Sequence, residues 1–150
     1  MDSLFRDMQE RFETLFKAID TAVADLPADA LDWKPGPDMN SIAVILAHTA
    51  GAWRYWVGDV AGDLPSGRVR ATEFETHGVD AAEMVGRLRA ALDTTHEVLA
   101  GMDIARLGEV RTAGMFDEQR TVGWALLHAL EHTALHAGHI QMTRQLWDQQ

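Results

Sequence analysis

Trp124-Ala-Leu-Leu-His128-Ala-Leu-Glu131-His132-Thr-Ala-Leu-His136-Ala-Gly-His139-Ile140 holds four of the chain's seven histidines within twelve positions. Their spacing is i, i+4, i+8 and i+11. At about 100° per residue the four imidazoles share one stripe of a helix, roughly 80° wide. Ala125, Leu126, Leu127, Leu130, Leu135, Ile140 and Met142 surround that stripe on nearly every other side. A helix apolar almost all round is expected to be buried. The reading is therefore a long core helix, from near Thr121 to about Trp147, with its polar stripe turned into the protein.

Such a helix needs partners, and the chain supplies three. Phe5, Met8, Phe12, Leu15, Ile19, Ala22 and Leu26 recur in steps of three and four, the pattern of an amphipathic helix that stops at Pro27. Pro35, Gly36 and Pro37 mark a loop, after which Asn40 or Ser41 caps a second helix through Val44, Ile45, Ala52 and Val57. Asp80 and Glu83 resemble a capping box opening a third, which carries Met84, Val85, Leu88, Ala91, Leu92, Thr95 and Leu99 and ends at Gly101. Two long connections, 58–79 and 101–120, separate the last three helices; the second has room for a short turn at 103–107. There is no internal repeat and no convincing alternating strand. The expectation is a single all-α domain over 1–150, a four-helix bundle whose long connections allow non-sequential neighbours.

Composition narrows the chemistry. The 150 residues hold 13 Lys+Arg against 23 Asp+Glu, a formal charge of −10. With Lys17 and Lys34 the only lysines and no basic run, neither nucleic acid nor an anionic membrane is expected as partner. No apolar run approaches the roughly 18 residues of a membrane span, and the amino terminus lacks a signal-peptide layout, so a cytoplasmic protein is expected. Cysteine is absent, which excludes disulfides, thiolate metal sites and a cysteine nucleophile.

The histidines carry what chemistry there is. Neutral imidazole is the commonest metal ligand, and two at i and i+4 can converge on one ion. All four cannot, because the helix rises about 16 Å from 128 to 139. One adjacent pair must act with a ligand from another helix, and His48, mid-way along the second helix, is the natural third. Three neutral ligands leave a coordination position open, as in catalytic metal sites. The competing account is a metal-free hydrogen-bonded network, which would need polar partners for each imidazole in an apolar core. His128-Ala-Leu-Glu131-His132 matches the inverzincin pattern in form, but only 18 residues follow it. A di-iron carboxylate bundle would need paired Glu-x-x-His motifs, and there are none.

Ser41-Ile-Ala-Val-Ile-Leu-Ala-His48, with His132-x-x-x-His136-x-Gly138-His139-Ile140 far downstream, resembles the DinB/YfiT-like superfamily of small helical metalloproteins. Trp33-Lys-Pro-Gly-Pro resembles its loop before the second helix. The likeness covers essentially the whole chain, though each motif is short and only their combination is specific. It implies His48, His132 and His136 as ligands of one divalent ion, zinc or nickel. It also implies a four-helix bundle, often a homodimer, and a thiol-dependent transferase or isomerase whose cosubstrate is a low-molecular-weight thiol. The chain departs from the pattern at His139, where glutamine is common.

His128, His139, Trp124 and Arg144 are the further candidates, as supports for a ligand or as substrate contacts. Arg144 has a surface pair with Asp148 as its simpler explanation. Trp33, Trp53, Trp56 and Trp124 are more simply core than pocket wall. A metal-dependent hydrolase and a non-catalytic, stress-related metal-binding bundle are the alternatives.

Overall fold

A computed structural model describes residues 1–150. Four long helices make the body: α1 (Ser3–Val23), α3 (Ile42–Arg54), α5 (Ala81–Ala100) and α6 (Val122–Trp147). Short helices α2 (Ala28–Asp32) and α4 (Arg70–Glu73) lie in the connections, and a 3-10 turn spans Ile104–Gly108. Side chains set the starts. Asp2, Ser41, Asp80 and Thr121 each accept a hydrogen bond from a backbone N–H of the first turn they precede, filling donors that a helix leaves unpaired. Both α1 and α3 pack on α5 and on α6, so the bundle is not wound in sequence order.

The core is one continuous cluster. Phe5, Phe12, Ile19, Ile42, Leu46, Trp53, Leu88, Leu92, Leu99 and Leu126 are wholly or almost wholly buried within it. Phe12 stacks on Trp53 with centroids 4.9 Å apart, and the Trp53 indole N–H donates to Thr95 Oγ1 at 2.8 Å. On α1 the buried stripe takes in Phe16 and Val23, whereas Leu15 and Ala22 lie at its margin.

Three features depart from the sequence reading. Helix α3 does not end near residue 57 but widens into a π-helical segment, Tyr55–Ala61, which turns Tyr55 and Trp56 into the protein. The connection after α5 contains an antiparallel hairpin, β1 (Val110–Ala113) with β2 (Glu118–Thr121), registered Val110 to Thr121 and Ala113 to Glu118. Asp117 takes a left-handed conformation, φ 50°, in its four-residue loop, a position Asp tolerates better than most residues. Helix α6, finally, is not buried all round. Leu127, Leu135 and Met142 are more than half exposed, and of the histidine stripe His128, His132 and His136 lie half-buried while His139 is exposed. The apolar residues that suggested complete burial divide between core and surface. No helix is long and apolar enough to cross a membrane.

Candidate metal centre

His48 projects from the middle of α3, and His132 and His136 from consecutive turns of α6. Their ring nitrogens converge within 4.8 Å of one another. His48 Nε2 lies 3.1 Å from His132 Nε2, which lies 3.2 Å from His136 Nε2. The outer nitrogen of His48 explains its orientation: Nδ1 is 2.9 Å from Glu73 Oε2. An ionised carboxylate only accepts, so His48 Nδ1 is the donor, and in the neutral tautomer this selects, Nε2 presents a lone pair inward.

Protons alone do not satisfy this arrangement. With His48 Nε2 an acceptor, a single N–H on His132 Nε2 cannot be directed well at both neighbours, and a proton on His136 Nε2 leaves the His48–His132 contact lone pair to lone pair. Nor is a second proton readily available. Burial first, then the neighbouring imidazoles, push His132 down to about 3 and His136 down to about 4. At neutral pH His132 and His136 are therefore uncharged, with ring nitrogens of the kind a divalent ion takes. Bonds of about 2.0–2.1 Å in a tetrahedral site require ligand atoms about 3.3 Å apart, close to the two separations seen. The residues fit a metal.

Glu73 is the support that the sequence did not reveal. It is buried at the end of α4, where Arg68 grips it with Nε to Oε1 at 2.6 Å and Nη2 to Oε2 at 2.9 Å. Burial alone would raise its carboxyl pKa. Hydrogen bonds from Arg68 and His48 outweigh that and hold it below the usual range. Gly51, one turn beyond His48, makes room: a Cβ there would run into Glu73 Oε1 and come within 3.2 Å of Arg68 Nε. In the sequence, Glu73 is one of 23 acidic residues in a connection without periodicity, and nothing local sets it apart.

The other candidates surround the triad. His128, one turn before His132, stacks on Trp124 at 4.7 Å and meets Trp56 edge-on at 5.0 Å; burial lowers its pKa. Phe116, at the hairpin tip, stacks flat on Trp56 at 5.5 Å, and the Met115 N–H donates to the Tyr55 hydroxyl at 3.1 Å. The hairpin and the π-helical segment thus build an aromatic cluster against His128, one turn before His132. His139 is exposed, with Nδ1 3.2 Å from His136 Nδ1. A cavity of about 310 Å³ opens there, lined by Met39, Ile45, His136, His139 and Met142 among others.

Arg144 is engaged elsewhere: its Nε binds Asp148, and Nη1 donates to the carbonyls of Ala22 and Ala24 at 3.1 Å, closing the end of α1. A substrate anion would have to displace those partners. Glu131 is exposed, and His96 pairs with Glu13 at 2.9 Å, away from the triad on α5 and α1.

The sequence matches the DinB superfamily over residues 8–140. The chain belongs to that superfamily. Among solved structures it is similar to a conserved protein from Enterococcus faecalis, with a TM-score of 0.77 and 15% identity over 97% of this chain and 98% of that one. At that identity the likeness concerns the fold. No curated protein matches the chain. In this DinB protein, then, a half-buried three-histidine group with a buried carboxylate behind one ligand stands on the superfamily's bundle.

Proposed function

We propose that His48, His132 and His136 hold one divalent ion, zinc or nickel, and that the protein is a metal-dependent transferase or isomerase using a low-molecular-weight thiol. The observation that carries the metal reading is the convergence of three imidazole ring nitrogens whose mutual contacts the protons of neutral rings do not satisfy. A bound dication would supply Lewis acidity, enough to deprotonate a thiol at neutral pH. The chain has no cysteine of its own, so a reacting sulfur has to arrive with a cosubstrate, as the family resemblance implies.

The protein's residues supply the rest. Glu73 fixes His48 by accepting its Nδ1 proton. His139 stands against the outer nitrogen of His136. Trp56 and Trp124 pack on His128, with Phe116 behind Trp56, and the cavity beside His136 gives room for a small reactant.

Elemental analysis of tag-free protein, beside the His132→Ala/His136→Ala variant, tests the site. About one divalent ion per chain is expected, lost in the variant; no metal in either after reconstitution with zinc and nickel would sink the reading. Turnover of an activated aryl halide is then followed with and without added thiol. Thiol-dependent product supports transfer. Equal turnover without thiol would replace transfer by hydrolysis, and no turnover with either would leave a metal-binding bundle.

A further inference from the structure

Glu73 also lines a cleft of about 260 Å³ between α3, α4 and α5, whose walls do not include His48. Its lining holds three arginines, Arg54, Arg68 and Arg87, and one carboxylate, Glu73, while Asp59 and Glu83 reach Arg54 and Arg87 from outside it. That is unusual in a chain of charge −10 with only 13 cationic residues. We propose that this cleft binds a small oxyanion, a phosphate or carboxylate group, at a site separate from the histidine triad.

The donors are in place and not exhausted. Arg68, whose side chain is only 4% exposed, gives Glu73 two of its N–H groups out of the five a guanidinium carries. Arg54 commits Nη1 to the Leu64 carbonyl at 2.9 Å and has Asp59 no nearer than 3.6 Å. Arg87 pairs with Glu83 on the half-exposed surface of α5, a contact that solvent screens and an anion can displace. Ser66 also lines the cleft, with its backbone N–H held by Asp59 Oδ2 at 3.0 Å.

The volume falls below the roughly 300–1,000 Å³ of pockets that enclose drug-sized molecules. It suits one anionic group or a short diacid. Arg68 serves both sides, holding Glu73 against His48 while facing the cleft, yet neither Arg54 nor Arg87 touches the triad.

Inorganic phosphate and succinate are titrated separately into the full-length protein by calorimetry, at constant ionic strength set with chloride. Saturable binding of one of them is expected, and which one binds assigns the group. Arg87→Gln and Arg54→Lys should each weaken it, the Arg87 change by about tenfold or more for a lost charge-assisted bond. Arg87→Gln should keep the parent's melting temperature without the anion. Binding should persist in His132→Ala/His136→Ala, which separates the cleft from any anion held at the triad. No saturable binding of either anion, undiminished binding in both cleft variants, or its loss in the histidine variant would overturn the proposal.

Discussion

Glu73 has the Arg68 guanidinium and the His48 imidazole as partners and little water, so its replacement is informative. Glu73→Gln keeps the shape but removes the charge that holds the His48 Nδ1 proton, and it leaves Arg68, almost fully buried, without a counter-ion. Partners behind a metal ligand typically contribute 10–100-fold to affinity. We expect metal affinity to fall by about tenfold or more in a competition titration against a chromogenic chelator, with the three histidines intact. Unchanged affinity would reduce Glu73 to a structural ion pair. Gly51→Ala reaches the same pair by a steric route. Its Cβ overlaps Glu73 Oε1 and crowds Arg68, so we expect a loss of about 1–3 kcal/mol in denaturant unfolding, the usual range for overpacking. Metal binding should weaken with it. A melting temperature and affinity like the parent's would show that the Arg68–Glu73 pair can move aside freely. These residues also mark the limit of sequence reading. His48, His132 and His136 are legible because imidazoles are scarce and helical spacing aligns them. Arg68 and Glu73 are charged residues in an irregular connection, and only the folded chain brings them to His48.

At the scale of elements, helix starts were legible because capping is local: Ser41 and Thr121 reach their own first-turn amides whatever the rest of the chain does. The hairpin was not, since its strands have four residues each and lack clean alternation, Val110 being exposed and Ala113 buried on one, with no buried residue on the other. Long-range contacts hold it, through Phe116 on Trp56 and Met115 on the Tyr55 hydroxyl. The π-helical segment that aims Tyr55 and Trp56 was hidden as well, because its backbone hydrogen bonding shifts without any change in the apolar pattern. Tyr55→Phe isolates the link between these two elements. It removes one partly buried hydrogen bond while keeping the ring, at a cost of about 0.5–1.5 kcal/mol. Amide exchange at Met115 should accelerate, whereas the core amides of α3 and α5 should slow or quicken only with the small global change. Exchange at Met115 unaltered from the parent would mean that the strand pairing alone fixes the tip.

Across the whole molecule, the triad couples folding to protons and, on the proposed function, to metal. His132 and His136 titrate near 6.5 in the unfolded chain but near 3 and 4 in the folded one. Between about pH 6.5 and 4 the unfolded chain therefore binds more protons, and stability must rise with pH through that window. Above it both states are neutral at these sites and the contribution is fully present; below the folded values it is gone. Glu73 acts in a separate range. Its depressed pKa stabilises the fold above about 4.5 and is lost only as pH falls through the lower folded value. Unfolding of the metal-free protein at pH 5 should accordingly take up about two protons from this pair of histidines, measurable from unfolding free energies at closely spaced pH values. In His132→Asn/His136→Asn the slope between pH 6.5 and 4.5 should flatten, leaving the fall below pH 4.5 in place. Metal steepens the same dependence. An ion that binds only the folded chain adds RT ln(1 + [L]/Kd), about 2.7 kcal/mol at a hundredfold excess over Kd, and acid removes it by protonating its ligands. The melting temperature of the wild type should thus rise with zinc or nickel at pH 7.5 and lose that increment on acidification, while the double variant responds to neither. A metal-induced shift that survives in the variant would place the ion elsewhere in the bundle. A slope unchanged by the variant would mean that His132 and His136 do not have the depressed affinities for protons that their burial and crowding dictate.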